Sequence, residues 1–123
     1  MTLGIEKLLA DLQDLGYSNL ERVDAGDMPY AVIPDFLITG GSFDSRVIGL
    51  AIPAAHDYPR GAPCAIHIKA NPVLFAASIP NKVNILVSPL GGDWQYWSFR
   101  FVLTPQYPTT DLMAKINDIF RKY

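Results

Sequence analysis

The chain has 123 residues, half of them apolar, which is enough for one domain with a single hydrophobic core. Ten lysines and arginines oppose twelve aspartates and glutamates, and the net charge of −2 argues against the electropositive face that nucleic-acid binding requires. Apolar runs fall well short of the ~20 residues that cross a bilayer, and a lone free cysteine suits a reducing compartment, so we expect a cytoplasmic protein without membrane partners.

The N-terminal segment has the pattern of an amphipathic helix. Its apolar residues recur at helical spacing, at Ile5, Leu8, Leu9, Leu12 and Leu15. Gly16 follows in the position of a C-terminal cap, and acidic residues inside the pattern argue against a signal peptide. Strands are predicted at 20–23 and 30–33, with a turn at 25–27 between them. Pro34 predicts an edge or a bulge, because proline lacks the N–H donor of a strand ladder.

The middle of the chain predicts the centre of a sheet. Residues 46–52 are apolar almost throughout, as in a strand covered on both faces, and residues 64–68 alternate with period two. This alternation puts Cys64 on the core face and His67 on the other face. We therefore expect a buried thiol and a half-exposed imidazole that cannot meet as nucleophile and base.

The last part of the chain predicts an extended, proline-rich crossing over 71–81, a further short strand at 83–87 and a C-terminal helix. That helix is expected to begin near Thr109 or Thr110, where a hydroxyl can cap its first turn. Of Trp94 and Trp97, we expect one in the interior and the other free for contacts. Short turns between strands favour an antiparallel meander of about four strands, hence a single α+β domain over 1–123 with both helices on one side.

The inventory of reactive side chains is small. One cysteine and two histidines, at positions 56, 64 and 67, are too few for a tetrahedral zinc site, so no metal or other cofactor is expected. The glycine pairs at 40–41 and 91–92 lack the lysine spacing of a phosphate loop and are predicted to be turns.

The order of these elements resembles the ubiquitin-conjugating enzyme (UBC) fold, and more closely its divergent bacterial relatives found alongside ubiquitin-like proteins. The matching segments are LLADLQDLGY, VIPDF, IGLAIPAAHDYPRGAPCAIHI, WQYWSFRF and TPQYPTTDLMAKINDIFRKY. In that family a Tyr-Pro-x-x-x-Pro turn, here Tyr58-Pro59 with Pro63, leads into a strand. An extended passage and a Trp-Ser element then precede a helix.

The resemblance also implies where the family's chemistry would lie. Conjugating enzymes carry a His-Pro-Asn tripeptide before the cysteine that accepts ubiquitin as a thioester. This chain has Ile79-Pro80-Asn81, and Ser88 stands where the cysteine would fall. A histidine common in the Trp-containing segment of divergent members is also missing from Trp97-Ser98-Phe99.

The resemblance therefore implies a pseudoenzyme without transfer chemistry. It would bind a ubiquitin-like protein or an activating enzyme through the N-terminal helix and adjacent loops. Its candidate binding residues are Asn81, Ser88, Trp94 and Trp97.

Two alternatives stay open at this point. The chain could be an active carrier that uses Cys64 as its thioester acceptor, which requires a sulfur that is exposed and reachable by a bulky partner. It could instead be an unrelated α+β domain that binds a small ligand or another protein. Ser88 would need a base to act as a nucleophile, and none stands near it in the sequence.

Overall fold

The computed structural model describes residues 2–80 and 83–123, and within them the chain forms two helices and six strands. In chain order the elements are α1 Gly4–Asp14, β1 Glu21–Ala25, β2 Met28–Leu37, β3 Val47–Pro53, β4 Ala65–Lys69, β5 Asn84–Val87, β6 Trp94–Ser98 and α2 Pro108–Lys122. None of the helices in this part of the chain is long and apolar enough to span a membrane.

The described strands form one antiparallel sheet in the order β1-β2-β3-β4-β6-β5. The α+β class and the meander of the first four strands are therefore confirmed. The expected total of about four strands is too low for the described residues, which hold six. The aromatic segment Trp94–Ser98 pairs with β4 on one side and with β5 on the other, so a hairpin extends the sheet beyond the meander.

Local signals set the ends and irregularities of these elements. α1 ends as predicted: Gly16 has φ 101°, its N–H bonds to the Gln13 carbonyl, and the Tyr17 N–H bonds to the Leu12 carbonyl. Pro34 does coincide with a bulge, since the register of β2 with β3 shifts between Ile33 and Phe36. The strand continues beyond this irregularity to Leu37.

The sheet has two different faces. The inner face packs against both helices in the main core, which includes Leu8, Leu12, Ile33, Leu50, Ile66, Trp97, Leu112 and Phe120. A smaller cluster lies on the opposite side of the sheet, hereafter the outer face, and contains Tyr30, Val32 and Ala51. The helices therefore cover one side only, as predicted.

A buried polar contact joins the two helices to the loop between β3 and β4. Thr109 Oγ1 donates to Asp11 Oδ2 at 2.7 Å and lies 2.6 Å from Tyr58 Oη, from which it accepts a hydrogen bond. Burial raises the pKa of Tyr58 to about 12, so the phenol stays protonated and remains a donor. The expectation that Thr109 caps its own helix is therefore wrong: α2 begins one residue earlier, at Pro108, and the hydroxyl reaches across to α1.

Candidate functional site

The reactive side chains gather on the outer face. The strand register lines up Val32, Ala51, His67 and Tyr96 across four neighbouring strands. The His67 ring lies edge-on between two phenol rings, with centroids 4.9 Å from Tyr30 and 4.8 Å from Tyr96. Ser88, directly after β5, completes the group.

His67 is fully buried, with 0% of its surface exposed, so the expectation of a half-exposed imidazole is wrong. Period-two alternation assigns a side chain to a face, but it does not say what covers that face. Here the two tyrosine rings and Ser88 cover the imidazole. Burial lowers the pKa of His67 from 6.5 to about 4, so the ring is neutral at pH 7.

Ser88 is bound into the same buried layer. Its Oγ lies 2.8 Å from His67 Nδ1 and accepts the Leu90 N–H at 3.1 Å. His67 is therefore a base within hydrogen-bonding distance of Ser88, although it is not near Ser88 in the sequence. Only 5% of Ser88 is exposed, however, so a bulky acyl donor cannot reach the hydroxyl in this conformation.

Among the described residues, only one of the two ring nitrogens of His67 has a hydrogen-bond partner. His67 Nε2 is buried and has no hydrogen-bond partner among the described residues. Because the Ser88 hydroxyl already accepts from Leu90, it can still give its own proton to His67 Nδ1. In that tautomer the ring proton of His67 is on Nε2.

Cys64 is exposed, which overturns its expected place in the core. The strand begins only at Ala65, so the alternation that buries the following side chains does not reach back to position 64. The Cys64 sulfur lies 3.9 Å from the Tyr96 hydroxyl. Burial, followed by the nearby sulfur, raises the pKa of Tyr96, and the same two causes raise that of Tyr30. Both phenols therefore stay protonated at neutral pH, and the Tyr96 hydroxyl can donate to the Cys64 sulfur.

The structure describes three of the four candidate binding residues. Ser88 and Trp94 lie on the outer face, Trp94 only partly buried. Trp97 is the interior member of the tryptophan pair, 1% exposed, and its Nε1 donates to Gln95 Oε1 at 3.0 Å. Asn81 lies outside the described residues. Tyr30 and Tyr96 were not among the predicted site residues; a strand over Trp94–Ser98 would have been the signal for Tyr96, because neighbouring strand residues such as Tyr96 and Trp97 point to opposite faces.

A chain of contacts thus runs from Cys64 through Tyr96 and His67 to Ser88. Cys64 is exposed, Tyr96 is partly buried, and His67 and Ser88 are buried. In residues 2–80 and 83–123, no three or more histidine, cysteine or acidic side chains are grouped so that they could hold a metal ion. The chemistry of this face is therefore that of one accessible thiol beside phenol donors, backed by a buried serine and imidazole.

Comparison with protein-family models, curated proteins and solved structures finds no match to this chain.

Proposed function

We propose that the protein is a non-catalytic, UBC-like binding module that recognises a ubiquitin-like protein or its activating enzyme. The observation that carries the proposal is the state of Ser88, the residue at the position where the resemblance expects the acceptor cysteine. Its hydroxyl is buried and hydrogen-bonded to His67 and Leu90. An acceptor must be exposed to a bulky partner, so this arrangement supports binding without transfer at that position.

The N-terminal helix offers the surface for such a partner. Glu6, Ala10 and Gln13 lie exposed along one side of α1 and form one wall of a cleft of about 760 Å³. Apolar residues are exposed at both ends of the helix, Leu3 by 45% and Leu15 by 43%. Exposed apolar residues next to polar side chains suit recognition of a folded protein domain.

The test is a titration of the isotope-labelled protein with a ubiquitin-like protein encoded in the same genome, followed by NMR chemical shifts. We expect the shifts to cluster on the exposed side of α1. Ala10→Arg should weaken binding about tenfold or more, corresponding to ~1.4 kcal/mol, because the long side chain occupies the contact surface. Arginine is a good helix former, so α1 should stay intact.

Ala114→Arg is the matched control, since Ala114 is exposed in the middle of α2. It introduces the same charge and volume on the other helix and should leave the affinity unchanged. The absence of chemical-shift changes at millimolar partner would contradict the proposal, and so would equal weakening by both arginine variants.

A second candidate function is favoured by the exposure of Cys64. If the protein were an active carrier, the Cys64 thiolate would attack the thioester carbonyl of a charged activating enzyme. A new thioester on Cys64 would form while the bond to the activating enzyme's cysteine breaks and that thiolate leaves. The protonated hydroxyl of Tyr96, 3.9 Å from the sulfur, is placed to stabilise the attacking thiolate.

A charging assay with the cognate activating enzyme, ATP and ubiquitin-like protein decides between the two functions. The non-catalytic proposal predicts no adduct that reducing agents remove. An adduct that is lost on reduction and in Cys64→Ala, but kept in Ser88→Ala, would establish the carrier function instead. Ser88 is buried, so Ser88→Ala could disturb the fold, whereas Cys64 is exposed. Circular dichroism of both variants must therefore first show a native fold.

A further inference from the structure

A groove of about 860 Å³ lies on the outer face, at the opposite end of β4 from Cys64. The register places Gly49, Lys69 and Trp94 side by side across β3, β4 and β6, and these three residues line the groove. This surface faces away from both helices. It is therefore separate from the α1 surface of the proposed function, and the inference below does not rest on that function.

Trp94 forms an aromatic wall of this groove because Gly49 on β3, over which its ring lies, has no side chain. A Cβ built on Gly49 would lie 3.2 Å from Trp94 Cη2, so the indole rests close to the strand backbone. Val47 also lines the groove and is 56% exposed. The groove thus offers aromatic and aliphatic surface that solvent can reach.

The charges around this surface are unbalanced. Glu21, Asp35 and Asp93 line the groove with exposed carboxylates, against one ammonium group, that of Lys69. Within the described part of the chain, none of these four residues takes part in an ion pair. Three unpaired carboxylates spread along a groove from β1 to the start of β6, with an aromatic wall at one end, make a surface that attracts positive charge.

We propose that this groove, the acidic groove, binds an extended basic segment of a partner protein. Arginine or lysine side chains of that segment stack on the Trp94 indole and pair with the surrounding carboxylates. Aliphatic side chains between them contact Val47. An anionic partner such as nucleic acid is disfavoured by the same three carboxylates.

The probe for this site is a blocked hexapeptide that alternates arginine with valine, titrated into the labelled full-length chain. The sequence holds two tryptophans, so two indole N–H signals report on binding. We expect the Trp94 indole signal to shift and that of the buried Trp97 to stay in place. Raising the salt concentration should weaken binding, because the charges are exposed.

Charge variants give effects of opposite sign. Asp35→Asn and Asp93→Asn should each weaken peptide binding about threefold, whereas Lys69→Gln should strengthen it by a similar factor. Asp14→Asn is the matched control, because Asp14 is an exposed carboxylate at the end of α1, on the helical side, and makes no ion pair with any residue in 2–80 or 83–123. It changes the net charge equally and should leave binding unchanged.

Three results would overturn the inference. The first is an unshifted Trp94 indole at millimolar peptide and low salt. The second is an equal response to a peptide with glutamate in place of arginine. The third is an equal response to spermidine, which would show a site for any polycation. None of these results bears on binding at α1, so the two proposals fail separately.

Discussion

Replacing Gly41 with alanine is expected to destabilise the fold by about 2 to 5 kcal/mol, the largest effect of any conservative change in the loop before β3. Gly41 has φ +76°, a conformation that side chains with a Cβ rarely adopt. A methyl group at this position would also overlap the Phe120 carbonyl oxygen and lie 3.0 Å from Arg121 Cα. These atoms belong to the backbone of α2 and cannot move aside singly.

The expected loss of stability would come from the contacts between this loop and α2. Phe120 is 1% exposed in the main core, and the next residue of α2 holds the same loop through Arg121 Nε, which donates to the Thr39 carbonyl at 3.1 Å. Pushing the last turn of α2 away from Gly41 would break this contact and loosen the packing of Phe120.

Two other glycines separate the conformational part of this effect from the steric part. Gly26 has φ +60° but nothing within 4 Å of a built Cβ, so Gly26→Ala should lose only about 1 kcal/mol. Gly92 has open space and no positive φ, so Gly92→Ala should be close to neutral. Urea denaturation of the three variants measures the series. Equal losses at positions 41 and 26 would contradict the close approach of α2.

Stability should fall by about 3 kcal/mol between pH 7 and pH 4 through His67 alone. The folded pKa of this histidine is about 4, whereas the ordinary value is 6.5, so in this window the unfolded chain binds a proton that the folded chain excludes. Stability must then rise with pH through the window. The contribution of His67 is constant above about pH 7 and is fully lost below about pH 4.

The His67 contribution can be isolated by comparing urea denaturation of two variants at pH 7 and pH 4. His67→Gln removes the buried titrating group and should flatten the pH dependence, whatever its own effect on stability. His56→Gln removes the second histidine of the chain, which is exposed in a loop, and should keep the pH dependence of the parent protein. In the unchanged protein, ring NMR signals of His67 that titrate near pH 6.5 would contradict a buried neutral imidazole.

Several elements could be predicted because their signals are local. The stripe of apolar residues in α1 and the cap at Gly16 are encoded within a few turns of helix, and the bulge at Pro34 follows from one missing N–H. The α+β class and the meander follow from connections between the early strands that are shorter than the dozen or more residues of a parallel crossover. The resemblance to the UBC fold rests on the same order of elements and stays a prediction.

The candidate site could be predicted only in part. Alternation correctly puts Ile66 and His67 on opposite faces of β4, but it was extended one residue too far, to Cys64, which precedes the strand. The serine at position 88 was singled out by resemblance, while its base was missed. The two residues are 21 positions apart and meet because the β5-β6 hairpin pairs with β4 through β6.

The amino-acid sequence by itself therefore determined both helices, the early strands, the bulge at Pro34 and the opposite facing of Ile66 and His67, since these depend on neighbours within a few positions. Tertiary structure alone decided that the thiol of Cys64 is exposed, that His67 and Ser88 are buried together, and that three carboxylates line one groove with Trp94. Burial and charge clustering depend on which distant segments come to cover a face. That is settled when the strands pair, and not by the local pattern of any one of them.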